Sequence, residues 1–309
     1  MRAVSNISLL PYNTFGMDVK ARLFIEYYSL DELRQALTEH RGEQILHIGQ
    51  GSNLLFTRDF DGVILHSGMA RARFLDDVTV EAQNGLRLDD LSAHLTDMGY
   101  SGLEKLSLIP GEVGASAVQN VGAYGVEAKD VIERVYTIDV ETLEERMFSN
   151  AECQFGYRDS AFKSELKGKY IVTSVVYKVK PGDATKNPEE IIETRNGKLP
   201  KVGEVGSAGS FFMNPFVSEE QANALLAQYP DMPHFATPQG VKIPAAWLIE
   251  QCGWKGKTLG GAQVWPKQPL VIVNANNATA QDIVDLAAAV SKSVKEKFSI
   301  AIHPEVNYI

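Results

Sequence analysis

Ile45-Leu46-His47-Ile48-Gly49-Gln50-Gly51-Ser52-Asn53-Leu54-Leu55 is an apolar run that stops at a glycine turn and then resumes. Four residues are too few for a helix, and a strand running into glycines offers several backbone N–H groups with no side-chain bulk around them. Upstream, Ser29-Leu30-Asp31-Glu32 has the spacing of a capping box, and it opens a helix through Leu33, Ala36 and Leu37 that Gly42 stops. Downstream, Gly62-Val63-Ile64-Leu65 supplies a second strand. The β-α-β unit so formed is the expected first domain, residues 1–67. It is not a Rossmann fingerprint, because the third glycine is missing and no acidic residue stands roughly 20 positions further on.

A second glycine-bearing stretch runs from Ile109 to Gly125, with Gly111, Gly114, Gly122 and Gly125 among small residues and almost no charge. Its residues are too small for a plain core helix, so a second loop is expected. Around it, a strand at Thr79–Ala82, a helix at Leu88–Met98 and strands at Val135–Val140 and Tyr170–Val179 make a second domain over 68–190. Lys180–Pro188 reads as a Pro/Gly/Lys linker and Glu189–Arg195 as a short helix. Helices at Glu219–Gln228, at Ile243–Gln251 and after the cap Thr279 join a strand at Leu270–Val273, and Ile300–Ile309 alternates as a closing strand. The third domain, 191–309, is therefore α+β. Two glycine loops within one half of a soluble chain favour a dinucleotide ligand.

The 309 residues exceed one ordinary core, and 44% hydrophobic with 22% charged residues describes a globular chain. A net charge of -9 opposes nucleic acid, which demands a basic surface. No apolar run reaches the roughly 20 residues of a membrane helix, and Met1–Asn6 has no signal-peptide core, so a cytoplasmic enzyme is expected. Cys153 and Cys252 stand far apart, and the six histidines form no His-x-x-x-His pair, so neither a disulfide framework nor a metal site is expected.

Three segments carry candidate chemical groups. Gly206-Ser207-Ala208-Gly209-Ser210-Phe211-Phe212 sets Ser210 on a glycine-rich turn ahead of two aromatic anchors; the plain alternative is a turn serine bonded to its own backbone. Gly156-Tyr157-Arg158-Asp159-Ser160 places Arg158 between an aromatic and a carboxylate, where a surface pair with Asp159 is the competing reading. Glu305 lies in the closing apolar stretch, either on its solvent face or buried at a seam.

Taken with Asn13-Thr14-Phe15-Gly16, Gln119-Asn120-Val121-Gly122-Ala123-Tyr124-Gly125, Asn214-Pro215 and His303-Pro304-Glu305-Val306, these motifs occur in one order from Asn13 to Ile309. In that order they closely resemble the UDP-N-acetylenolpyruvoylglucosamine reductase (MurB) family. The resemblance implies a two-part FAD-binding domain of the vanillyl-alcohol-oxidase type and a C-terminal α+β domain that closes over a UDP-sugar. The closing strand is expected to return to the active site. Implied with it are noncovalent FAD, NADPH as hydride donor, and a cytoplasmic role in peptidoglycan precursor synthesis. No membrane or nucleic-acid partner is implied, and of the oligomeric states left open a monomer is favoured.

By the same resemblance, FAD would be held by Gly49, Gly51, Ser52, Asn53, Leu54, Pro110, Gly111, Gly114, Ala115, Gln119, Asn120, Gly122, Ala123 and Gly125. Substrate would meet Tyr124, Tyr157, Lys198, Asn214 and Gln268. The catalytic set is Arg158, Ser210 and Glu305, expected to gather beside the flavin. An always-charged guanidinium suits an anion spreading into the substrate carboxylate, and Ser210 would protonate the carbon afterwards. Glu305 would help if burial kept it protonated. Other lysines of the third domain, including Lys201, could add positive charge for the diphosphate. The chain departs from the family at the short Lys180–Arg195 segment, at Lys201, and at Trp265, where a histidine is expected. The rival readings are another FAD oxidase or dehydrogenase of this fold acting on a different substrate and a nucleotide-sugar binding protein without turnover. The second has no need for Arg158, Ser210 and Glu305 together.

Overall fold

The computed structural model describes residues 1–123, 125–182, 193, 197–200 and 203–309. Tyr124, Lys201, residues 183–188 of the expected linker and the expected helix Glu189–Arg195, Glu193 apart, lie outside that set. The chain divides into two compact units, Met1–Tyr12 with Val19–Gly51 and Asp59–Arg195, and Asn13–Asp18 with Ser52–Arg58 and Asn196–Ile309. Two short segments from within the expected first domain thus belong to the second unit.

Two larger sheets dominate the described residues of the first unit. In one, Lys20–Tyr27 is flanked by antiparallel Arg2–Ser8 and by parallel Phe60–Ser67, whose other edge takes Ile45–Ile48, also parallel. The helix Leu30–Glu39 starts where Ser29 Oγ accepts the Glu32 N–H at 3.2 Å. Glu32 does not close the expected capping box on Ser29; its carboxylate accepts the Tyr28 N–H at 2.7 Å. Leu33, Ala36 and Leu37 form the buried stripe of this helix and pack with Ile25, Tyr27, Val63 and Leu65, and with Ile138 and Ile171 of the other sheet.

That other sheet is antiparallel throughout, in the order Glu145–Ser149, Ile132–Asp139, Tyr170–Lys178, Thr79–Gln83, Ala72–Asp76. Helices Leu88–Asp97 and Val113–Gln119 contribute Leu88, Leu91, Leu95, Val113 and Ala117 to its core. The second helix corrects the expectation of a bare loop. Its small residues are what allow close packing, since a Cβ on Gly114 would stand 2.8 Å from Asn84 Cβ. Lys180–Pro181 pairs with Tyr100–Ser101, so the expected linker opens with a short strand.

A polar chain crosses this unit's interior. Ser67 Oγ donates to Asn84 Oδ1 at 2.7 Å, and Asn84 Nδ2 donates to the Val172 carbonyl at 2.7 Å and to the Tyr27 hydroxyl at 2.9 Å. The Tyr27 hydroxyl also shares a hydrogen bond with His47 Nε2, 2.8 Å away. Burial pushes the Tyr27 hydroxyl up to about 12 and His47 down to about 3, with His66 adding to the second shift. His47 is therefore neutral.

The second unit centres on an antiparallel sheet ordered Gly206–Ser210, Val271–Asn274, Ala262–Val264, Thr258–Leu259. The helix Ala280–Phe298 covers it, opened by a full capping box between Thr279 and Asp282, with Ile283, Leu286, Val290, Val294 and Phe298 buried. A smaller sheet, Phe216–Val217, Gly240–Lys242 and Phe235–Thr237, sits with helix Glu219–Gln228, while helix Ala245–Gln251 packs on the long helix. The expected closing strand over Ile300–Ile309 is corrected. Ser299 ends the long helix in a left-handed conformation, Pro304 lacks an N–H and makes only a single bridge with Phe212, and regular pairing is confined to Asn307–Tyr308. That last piece runs parallel to Leu54–Leu55.

Candidate functional site

The glycine loop at the end of Ile45–Ile48 is shaped by crowding. A Cβ on Gly49 would lie 2.9 Å from a Glu112 carboxylate oxygen, and Gly51 sits at φ +63°, which disfavours any side chain. Gln50 Oε1 accepts the Gly111 N–H at 2.9 Å and ties this turn to the second loop, where Gly111 has φ +137°. The second stretch continues through Pro110, Gly111, Gly114 and the outward-facing Ala115 to Gln119. It then turns at Asn120, left-handed at φ 46°, ψ 57° and fully buried. Asn120 Nδ2 donates to the Gly156 carbonyl at 2.7 Å and its Oδ1 accepts the Lys129 N–H at 3.0 Å. Gly122 and Ala123 pair with Val126–Glu127, and Gly125 turns between them at φ +80°.

Eleven of the positions expected to hold FAD thus lie in the first unit, their two loops joined through Gln50, and Ser52, Asn53 and Leu54 lie in the second. Adjacent backbone turns bare of bulky side chains fit a pyrophosphate, which is recognised by N–H groups. The acid beneath the first loop is compatible with an anion above it. Burial pushes the Glu112 carboxyl up, toward its neutral form, while His66 pulls the other way. His66 Nε2 is 3.4 Å from Glu112, and Nδ1 is 3.5 Å from Glu26 in ion-pair range without hydrogen-bond geometry.

Gly156-Tyr157-Arg158-Asp159 is a two-residue reversal closed by Gly156 N–H to Asp159 O at 2.9 Å and Asp159 N–H to Gly156 O at 3.2 Å. Arg158 occupies its left-handed position, φ +57°. Its guanidinium donates to the Gly122 carbonyl at 2.6 Å, lies 3.8 Å from Glu127, and stands 5.1 Å over the Tyr157 ring. The Asp159 carboxylate accepts the Ser160 N–H at 2.9 Å. Arg158 and Tyr157 are therefore built onto the wall of the second glycine stretch, in the first unit. Lys163 Nζ closes the group with bonds to Gln119 Oε1 at 2.8 Å and the Arg158 carbonyl at 3.0 Å.

In the second unit Ser210 ends a strand, not the turn expected from its glycines. Pairing with Val271–Asn274 slips between Ser207 and Ser210, at a bulge that Gly209 permits with φ +68°. The bulge leaves Ser210 exposed, while Phe211 and Phe212 are fully buried. Thr14 and Phe15 brace the strand. Ser207 N–H donates to Thr14 O at 2.9 Å, Thr14 Oγ1 donates to Ser207 O at 2.6 Å, and Phe15 meets Phe211 edge-on.

Glu305 is half-buried beside this strand end. Its N–H donates to Phe211 O at 2.8 Å, Met213 N–H donates to His303 O at 2.9 Å, and Asn53 Nδ2 donates to Glu305 O at 3.2 Å. The structure therefore brings Ser210, Glu305 and Asn53 into one neighbourhood. Asn214 Oδ1 accepts the Ala245 N–H at the start of Ala245–Gln251 at 2.9 Å, Gln268 lies between Trp265 and Val271, and Lys198 is exposed. The bonds of Asn84 and the Glu112–His66 contact carry no mark in the sequence, since each depends on residues far apart along the chain.

Residues 21–142 match the family model of an FAD binding domain, and residues 200–309 match that of the UDP-N-acetylenolpyruvoylglucosamine reductase C-terminal domain. The chain is 46% identical to the UDP-N-acetylenolpyruvoylglucosamine reductase of Bacteroides fragilis, with 98% of each chain covered. It is 44% identical to that of Neisseria gonorrhoeae, over 97% of this chain and 96% of the relative, and 41% to that of Flavobacterium johnsoniae over 100% of both. The crystal structure of the MurB of Thermus caldophilus aligns with a TM-score of 0.74 at 25% identity, covering 100% of this chain and 99% of that one. With FAD-binding and reductase domains in one α+β chain, this protein is an FAD-binding oxidoreductase that belongs to the UDP-N-acetylenolpyruvoylglucosamine reductase family.

Proposed function

We propose that this protein uses NADPH to reduce the enolpyruvyl group of UDP-N-acetylenolpyruvoylglucosamine to UDP-N-acetylmuramate, a cytoplasmic step toward peptidoglycan precursors. The observation that carries the reading is the identity to reductases of that name over nearly the whole chain. Residues 1–67 and 68–190 serve as FAD-binding subdomains and 191–309 as the substrate domain. FAD held by the two glycine loops would supply the hydride chemistry that links NADPH to the electron-poor carbon of the enol ether.

The chain's own residues then manage the charge and the proton. Arg158, its guanidinium fixed by the Gly122 carbonyl and Glu127, stabilises negative charge spreading into the substrate carboxylate, and Glu305 assists. Ser210, exposed at a strand end held by two buried phenylalanines, gives its proton to the neighbouring carbon. A neutral hydroxyl is a weak acid in water, yet strong enough to protonate an enolate carbon. Lys198, Asn214, Gln268, Tyr157 and Tyr124 bind the nucleotide-sugar.

Anaerobic stopped-flow spectroscopy tests this. NADPH should bleach the flavin of the purified protein, and the enolpyruvyl UDP-sugar should restore its colour. Ser210→Ala should slow recolouring by about 10²-fold or more and leave bleaching unchanged. A protein that takes up no FAD, or whose reduced flavin ignores this sugar, does not have this function.

A further inference from the structure

We propose that Trp265 is a positioning residue for the nucleotide-sugar, acting through Lys198. The inference rests on the substrate reading above, because it concerns how Lys198 is held for that ligand. The Trp265 indole Nε1–H donates to the Lys198 backbone carbonyl at 3.0 Å, across 67 positions of sequence. An indole nitrogen is a donor only, so the bond has one direction and no tautomer.

Trp265 is itself anchored. Its backbone N–H donates to Val271 O at 2.8 Å and Val271 N–H donates to Gln268 O at 3.0 Å, which closes residues 265–271 into a compact loop between strands Ala262–Val264 and Val271–Asn274. The same loop presents Gln268. Its Leu270 carbonyl accepts the Phe211 N–H at 2.7 Å, one residue beyond Ser210. One loop therefore meets three expected functional positions: Lys198 through the indole, Gln268 directly, and Ser210 through Phe211. Lysine places its charge at the end of a flexible four-carbon stem, and Lys198 is exposed, so fixing its backbone removes freedom that binding must otherwise restrain.

Trp265→Phe keeps an aromatic ring and deletes the donor. Losing one neutral hydrogen bond should raise the KM for UDP-N-acetylenolpyruvoylglucosamine about three- to tenfold, leaving kcat and the KM for NADPH unchanged. In a Lys198→Ala background the same change should add less than about twofold, because a residue acting through Lys198 has nothing left to position. A sugar KM within about twofold of wild type, or an equal rise in both backgrounds, overturns the inference. A parallel fall in NADPH-driven flavin reduction also overturns it, by marking a general fold defect. If wild type binds FAD but does not turn over the sugar, the substrate reading fails first and this inference with it.

Discussion

Replacing His47 with glutamine should flatten the acid limb of this protein's stability curve. In the folded chain His47 shares a hydrogen bond with Tyr27 through Nε2 and is held down to about 3, while the unfolded chain protonates near the ordinary value of 6.5. Because the folded value is depressed, the stabilisation is complete above about pH 6.5 and is lost progressively as the pH falls toward about 3. Between pH 6.5 and pH 4 lie roughly 2.5 units at about 1.4 kcal/mol each, so wild type should lose about 3 kcal/mol through this one ring. That is an upper bound, since the residue keeps part of its surface accessible. The glutamine amide of the variant can still hydrogen-bond the Tyr27 hydroxyl but cannot ionise, so His47→Gln should start about 1 kcal/mol less stable near pH 8 and draw level or better near pH 4. The assay is urea unfolding followed by circular dichroism at each pH, both proteins holding the same saturating FAD, with the slope checked for constancy. Curves that stay parallel within about 0.5 kcal/mol from pH 8 to pH 4 would refute the reasoning. So would a His47 ring that NMR shows titrating near 6.5.

The second unit's brace can be tested at Gly206, where a Cβ would stand 2.2 Å from the Phe15 carbonyl oxygen and 3.1 Å from Asn274 Cβ. Gly206→Ala should cost at least about 1–3 kcal/mol, read as a lowered melting temperature, and an unchanged melting curve contradicts the packing described. Glu112 has a raised folded value, so its ionised form burdens the fold increasingly as the pH rises above the ordinary carboxyl range. Glu112→Gln, which imitates the protonated acid, should raise the melting temperature at neutral pH and lose that advantage below about pH 4.5. A variant equally destabilised at both pH values would show that the His66 contact outweighs burial.

What the sequence discloses here is what local rules govern. Ser29 and Thr279 cap the helices expected of them, because an N-cap needs only the next three residues. The small-residue run at Val113–Gln119 hides a helix, since its reason for being small is Asn84 on another element. Ser210 reads as part of a turn, as glycine spacing does not reveal a bulge that exists only against Val271. The tail alternates like a strand but Pro304 interrupts it, and its true pairing is with Leu54–Leu55. The order of the motifs is sufficient to suggest the family, and the roles of Arg158, Ser210 and Glu305 come from that resemblance, not from spacing.

The tail's attachment also sets a timetable for synthesis. Thr57 donates its N–H to the Ile309 carbonyl at 2.9 Å across 252 positions, and Leu55 and Phe56 beside it are fully buried in the finished molecule. At ribosomal speeds of about 5–20 residues per second, this greasy Leu-Leu-Phe segment waits roughly 13–50 s for its partner to be made. A slowed ribosome or a truncated transcript would leave it uncovered, so chaperone dependence and inclusion-body formation should depend on how promptly the codons for Asn307–Ile309 are read.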